Sequence, residues 1–404
     1  MLWLIKIMLK SRIESMWLDV LIPILQIRIC RGFHMKLHEI CEIYSGYALK
    51  SFNNSNNGSP VIKIGNINSK GNLELEDCQF SEENVDEKYY SKNGDIYIAL
   101  SGATTGKIGV MNDDEKYIIN QRVGIIRRKN DSIPRDYIRY YLLKQTKKIL
   151  LDASGCAQPN ISPKQIADYD MPIISPKEMI EICNKLHSIE VILNNYKLIA
   201  QKLDNLIKAR FVEMFGDPCK NDLEWKIAKL GNLTSKIGSG ATPKGGKESY
   251  IGQGITFVRS MNVHDAHFVY KDLAHLNEEQ ANQLKNVEVK ENDVFLNITG
   301  ASVARACVVP SNILPARVNQ HVCIIRCLPE FIDSIFLNYL FINNSYKNAL
   351  IEIGESNGAT RQAITKKQLE ELEIIVPPLT LQNRFTDFVK QVDKSKFIQM
   401  NSTI

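Results

Sequence analysis

The residues that look most like chemistry are Ser101-Gly102-Ala103-Thr104-Thr105-Gly106-Lys107-Ile108. Glycines followed by a lysine suit a loop whose backbone N–H groups cradle phosphate oxygens, but such a loop spaces its glycines by four residues and has Ser or Thr after the lysine. Here three residues intervene and Ile108 follows Lys107, which describes a tight turn between strands better than a nucleotide site. His321, Cys323 and Cys327 are metal-ligand types within Val318–Cys327, whose alternation reads as a strand. On a strand the two cysteines share a face about 13 Å apart, too far for one zinc. The chain has seven histidines and no H-E-x-x-H, so metal-assisted hydrolysis has nothing to stand on. No Asn-Pro-Pro-aromatic tetrad for base methylation occurs, the only Pro-Pro being in Val376-Pro377-Pro378-Leu379. No Pro-Asp followed by Glu-x-Lys marks a nuclease, and pieces such as Glu288-Val289-Lys290 arise by chance. The sequence therefore offers no catalytic residues and no metal site. What remains is cations, hydroxyls and amides in glycine-rich loops.

The elements that position those loops occur in two sets. Lys92-Asn93-Gly94-Asp95-Ile96-Tyr97-Ile98-Ala99-Leu100-Ser101-Gly102-Ala103-Thr104 is echoed by Lys290-Glu291-Asn292-Asp293-Val294-Phe295-Leu296-Asn297-Ile298-Thr299-Gly300-Ala301-Ser302. Asn120-Gln121-Arg122-Val123 is echoed by Asn319-Gln320-His321-Val322, and Gly155-Cys156-Ala157-Gln158 through Ser162 by Gly358-Ala359-Thr360-Arg361 through Thr365. Three matches in one order, each about 200 residues apart, make a tandem duplication. Each copy has a Gly/Asn/Ser-rich front, strand runs ending in Ser-Gly or Thr-Gly, and a helix. A polar loop then closes on Ser162-x-x-Gln165 or Thr365-x-x-Gln368, the pattern of a capping box.

A Pro-flanked helix follows each copy. Over Pro176–Phe215, apolar residues repeat every seven positions as Ile182, Ile189, Tyr196, Leu203 and as Leu186, Leu193, Ala200, Ile207, Met214, the seam of a helix packed along another helix. Gly216-Asp217-Pro218 ends it, and at 1.5 Å per residue it spans roughly 55–60 Å, the length of a spacer. The expected fold is α+β: an atypical extension over 1–34, a first globular domain over 35–175, the helix 176–215 and a linker 216–222. A second domain over 223–376 and a shorter helix over 377–404 packing antiparallel to the first complete it. The extension is apolar but broken by charges, so it suits neither a membrane span nor a signal peptide; it reads as sequence upstream of the true start, with a short amphipathic anchor as the alternative. The 50 Lys and Arg against 45 Asp and Glu permit a nucleic-acid partner without arguing for one, and the nine scattered cysteines suit reduced thiols in a cytoplasm.

Two related domains, each followed by a helix, resemble the specificity subunit of type I restriction-modification systems. The resemblance rests on the Gly-Asp and Asn-Asp strands with their turns, the Asn-Gln-Arg and Asn-Gln-His strands, the loop Asn357–Thr365, and the helix end Ala209–Asp217; it covers about Met35 to Gln399. It implies two target recognition domains reading the halves of a split double-stranded DNA site. It also implies two helices that set the distance between half-sites and dock two modification subunits. Those partners carry S-adenosylmethionine and methylate adenine, while restriction subunits carry the ATP- and Mg-dependent motor and nuclease, so this chain itself needs no cofactor. The C-terminal helix is shorter than this pattern, which means a naturally short helix or a truncated chain. A silent copy kept as a recombination store is the first rival reading, and a duplicated enzyme of unrecognised chemistry the second.

On this reading the DNA contacts fall in loops at matching places. Lys107 and Arg305 follow the turn in each copy, beside Ser101, Thr104, Thr299 and Ser302. Thr242, Lys244 and Lys247 lie in a glycine-rich loop suited to a phosphate backbone, and Lys50, Lys63 and Arg259 are analogous cations. The recurrence of Asn120-Gln121-Arg122 and Asn319-Gln320-His321 in domains expected to read different sequences favours a structural role. The partner interface is assigned to the helix seam (Ile182, Leu186, Ile189, Leu193, Tyr196, Leu203, Ile207) with Arg361 and Gln362.

Overall fold

The computed structural model describes residues 33–68, 71–153, 158–243, 245–355 and 363–401, without the side chains of Lys247 and 397–401. The extension before Phe33, Lys244, Arg361, Gln362 and half of the third repeated match lie outside the described residues. Two compact units divide within the long helix, between Leu193 and Asn194.

The first unit holds β1 (Phe33–Lys36), β2 (Cys41–Ser45), β3 (Ser59–Ile62), β4 (Gln79–Ser81), β5 (Ile96–Ala99), β6 (Ile108–Val110), β7 (Ile118–Ile119), β8 (Val123–Arg128) and β9 (Asp170–Ile173). They form a four-stranded sheet in the order β2-β8-β5-β6, a three-stranded sheet β4-β3-β7, and the antiparallel pair β1-β9. Strand β5 is buried throughout because its two faces serve two cores. Ile96, Ile98 and Leu100 pack with Tyr137, Ile138 and Leu142 of the helix Arg135–Lys144, whereas Tyr97 and Ala99 pack with Ile62 and Ile119 of the smaller sheet. A strand covered on both sides reads as an unbroken apolar run, as Ile96–Leu100 does.

The second unit repeats the plan with β10 (Ile227–Lys229), β11 (Thr234–Ser239), β12 (Ile255–Val258), the hairpin β13 (Val263–His264) and β14 (His267–Phe268), β15 (Ala274–Leu276), β16 (Val294–Asn297), β17 (Ala306–Val308), β18 (Ala316–Val318), β19 (Val322–Cys327) and β20 (Glu373–Ile375). The sheet β11-β19-β16-β17 matches β2-β8-β5-β6, β15-β12-β18 matches β4-β3-β7, and β10-β20 matches β1-β9. Val294, Leu296 and Ile298 enter one core and Phe295 the other, as in the first copy.

The repeated Gly-Asp and Asn-Asp have a structural cause. Gly94 and Asn292 adopt φ of 88° and 64°, a region open to Gly and tolerated by Asn. Asp95, 2% exposed, then takes two bonds from the Arg127 guanidinium at 2.8 and 2.6 Å; Asp293, 0% exposed, takes two from Arg326 at 2.7 and 2.8 Å. Both expected capping boxes form, Ser162 with Gln165 and Thr365 with Gln368.

The helix Pro176–Phe215 is continuous, but its seam does not wait for a partner. Ile182 and Leu186 are buried in the first unit's helical core, Ile207 in the second unit's core, and Leu193 is buried as well. Ile189, Tyr196 and Leu203 are half-buried. Four of the seven residues assigned to a partner interface are thus buried within this chain, three of them in the domain cores, because each domain uses the helix to close its core. The exposed apolar side chains of the helix are others, among them Val191, Ile192, Leu198, Ile199 and Leu206. Glu190 fastens the helix to the first unit by accepting from Arg139 at 2.7 and 3.2 Å and from the Tyr140 hydroxyl at 2.9 Å.

In the second unit the helix Leu379–Asn401 lies beside the end of the long helix. The rings of Phe211 and Phe385 have centroids 5.5 Å apart, and Lys396 pairs with Asp204. Numbers rise along one helix as they fall along the other, so the two are antiparallel. Phe215, Phe336 and Tyr339 complete the aromatic cluster that holds them.

Candidate nucleic-acid interface

In each unit the turn residues singled out above, Ser101, Thr104 and Lys107 in the first and Thr299, Ser302 and Arg305 in the second, lie at one end of the four-stranded sheet. Strands β2 and β5 run antiparallel to β8, and β6 antiparallel to β5, so the exits of β2 and β5 share an end with the entries of β6 and β8. Ser45, Val123, Ala99 and Ile108 mark that end, and Ser239, Val322, Asn297 and Ala306 mark its counterpart. A glycine lets the chain leave β2 and β11 in contact with the smaller sheet. A Cβ on Gly46 would stand 2.2 Å from the Ile119 carbonyl oxygen, and one on Gly240 1.7 Å from that of Val318.

The turn after β5 consumes its own donors. Gly102 N–H donates to Pro159 O at 3.1 Å, Thr105 N–H to Gly102 O at 3.1 Å, Gly106 N–H to Ala99 O at 2.9 Å and Lys107 N–H to Thr104 O at 3.0 Å. A phosphate cradle needs those groups free, so the resemblance to a phosphate loop is superficial. Ser101, Thr104 and Lys107 are half-buried at this turn, and Thr104 Oγ1 is buried with no partner among the described residues. In the second unit Ser302 and Arg305 occupy the same turn, half-buried, and Thr299 Oγ1 bonds to His321 Nδ1.

Two of the assigned cations are held by their own domain. Lys63 Nζ sits 3.3 Å from the centroid of the Phe52 ring and donates to Gln79 Oε1; burial pushes its pKa below the ordinary lysine value. Arg259 has its guanidinium carbon 5.7 Å from the Tyr250 ring and donates to Asp272 O, while its Nε is buried with no partner among the described residues. Both residues precede a turn in which an asparagine, Asn66 or Asn262, accepts from the cation's own backbone N–H at 2.8 or 3.0 Å. Lys50 is exposed, and Thr242 is exposed and donates to Gln320 Oε1. Lys247 has its backbone in the short turn Gly246–Ser249.

The Asn-Gln-Arg and Asn-Gln-His turns lie at the centre of this end. Their asparagines are bonded within the turn, while the side chains after them differ in exposure. Gln121, Arg122 and Gln320 are exposed and His321 is half-buried. The burial of Asn against the exposure of its two successors carries no sequence signal beyond the strand's alternation. Burial raises the thiol pKa of Cys323 and Cys327 to about 12 each, keeping them protonated, and among the described residues no group of His, Cys, Asp or Glu is placed to hold a metal.

A duplicated α+β domain joined by a helix, with amides and cations gathered at the same sheet end of each copy, defines a modular recognition protein. Residues 34–208 and 222–404 match the family described as the type I restriction modification DNA specificity domain, and the chain belongs to that family, as a specificity subunit and not a catalytic one. It is 30% identical over 217 residues to the type I restriction enzyme MjaVIII specificity subunit of Methanocaldococcus jannaschii, a match spanning 50% of this chain and 45% of that relative. It is 22% identical over 389 residues to the EcoBI specificity subunit of Escherichia coli, spanning 89% of this chain and 78% of the other. Its fold is similar to a crystal structure of a type I restriction-modification S subunit from M. genitalium, with a TM-score of 0.50, 12% identity and 92% of each chain covered.

Proposed function

We propose that this chain reads a bipartite double-stranded DNA site, one half-site per unit, and carries modification and restriction subunits to it. The observation that supports this reading most is the recurrence, at one end of the same sheet in both units, of a turn with a cation (Lys107, Arg305) beside exposed amides (Gln121, Gln320). Cations on phosphates give affinity by releasing counterions, and side chains at base edges give sequence preference. The domain limits expected above are part of this proposal. Two modification subunits would bring S-adenosylmethionine, restriction subunits ATP and Mg, and this chain no cofactor. A cytoplasmic site of action fits such a complex; no described helix is long and apolar enough to cross a membrane.

The test is to coexpress the chain with a modification subunit, purify the complex and sequence the methylated adenines. Replacing residues 40–170 by the corresponding stretch of a second specificity subunit should change one half-site and leave the other. A change in both halves, or methylation by the chain alone, would contradict the proposal.

A further inference from the structure

The turns that enter β8 and β19 are built alike. Asn120 Oδ1 accepts from Arg122 N–H at 3.2 Å and Asn319 Oδ1 from His321 N–H at 3.0 Å. Val123 N–H closes on Asn120 O at 2.8 Å, and Gln121 N–H donates to Tyr47 O at 2.8 Å. The asparagine is thus spent inside the turn, and the next two side chains are held outward on a fixed backbone.

They differ in what holds them. Gln121 and Arg122 make no side-chain hydrogen bond or ion pair with any described residue. In the second unit Thr242 donates to Gln320 Oε1, the Gln320 amide nitrogen lies 3.2 Å from His321 Nε2, and His321 Nδ1 meets Thr299 Oγ1. In either imidazole tautomer Gln320 bridges Thr242 and His321, its amide turning to suit the ring nitrogen it meets. Gln320 then keeps one N–H and one carbonyl lone pair uncommitted.

We propose that these turns are the base readers of the two half-sites, with Gln121 and Gln320 each on an adenine, and Arg122, on a guanine, at the position where the half-sites differ. The inference rests on the DNA-recognition reading above. The paired donor and acceptor of a glutamine amide match adenine N6 and N7, and the guanidinium fork matches guanine O6 and N7. The glutamine is common to both units and its neighbour is not, so the half-sites should share one base and differ beside it. Thr242 and Thr299 act as positioning residues for the second pair.

The experiment maps the sites methylated by the full complex carrying wild-type chain, Arg122→His, His321→Arg, Gln121→Met or Thr299→Val. Arg122→His should weaken the guanine preference at one position of one half-site by about 10- to 100-fold and leave the other half-site unchanged. His321→Arg should bring a guanine preference to the other half-site, and Gln121→Met should relax the adenine. Thr299→Val should relax the second half-site alone, a readout that lost folding would not give. The inference is overturned if Arg122→His and Gln121→Met keep the wild-type site. It is equally overturned if they weaken all sites together with a shallower salt dependence, the mark of a phosphate contact. A wild-type complex that methylates without sequence preference would overturn the recognition reading itself.

Discussion

Asp95 and Asp293 show what a recurring residue can mean. A carboxylate buried at the head of the central strand is tolerable only because an arginine from the neighbouring strand meets it with two bonds. Removing the arginine leaves a buried charge with too few partners. Arg127→Ala should cost the first unit about 3 kcal/mol, read as a lower urea midpoint of its transition, and Arg326→Ala the same for the second. Arg122→His, on an exposed side chain, should stay within about 0.5 kcal/mol of wild type. The sequence displayed the aspartates plainly, as part of the first repeated match, and hid their partners. Arg127 and Arg326 follow apolar runs where a cation reads as the solvated end of a strand. Their role depends on register, which no local pattern specifies.

Among the elements, the helices were legible in extent but not in allegiance. A seven-residue apolar repeat predicts a helix packed against something, and Pro176–Phe215 is that helix. The repeat does not say whether the cover is a second helix, a partner protein or the domain next door. Here the domains cover most of the seam, and the antiparallel helix covers the end through aromatic rings. Phe385 is fully buried among Phe211, Phe215 and Tyr339. Phe385→Ala should destabilise the second unit by about 3–5 kcal/mol while the first unit's unfolding stays as it is, a difference that hydrogen exchange of each unit would resolve. The strands β5 and β16 were legible for a related reason. Burial on both faces leaves an apolar run too short for a helix, bounded by turn residues. The exposed side chains of the candidate interface lack any such periodic signal, because loops obey no repeat.

For the molecule as a whole, the long helix joins the two units, and on the function proposed above its length should appear in the DNA. Four residues inserted after Gln201 add roughly 6 Å of helix, a little under two base-pair steps of about 3.4 Å. The unread gap in the methylated site should lengthen by one or two base pairs. A seven-residue insertion adds about three steps with almost no helix rotation and should be tolerated less well. An active four-residue variant with an unchanged gap would mean that another element sets the spacing.

On the proposed function, the pairs β1-β9 and β10-β20 carry a consequence for how new targets could be acquired. Lys36 faces Asp170 and Lys229 faces Glu373 across two-stranded ribbons, so the chain enters and leaves each reader through neighbouring points. Lys36 also pairs with Asp170 at 2.8 Å, fastening that doorway. Loops between the two strands that lie away from the core shared with the long helix can change in length or content without moving either point of attachment. On the function proposed above, a gene exchange with its crossovers in the ribbon codons would deliver a new reader in one event, provided the incoming segment keeps the face that packs on the long helix, and the cell would gain a new address without rebuilding the frame that carries it.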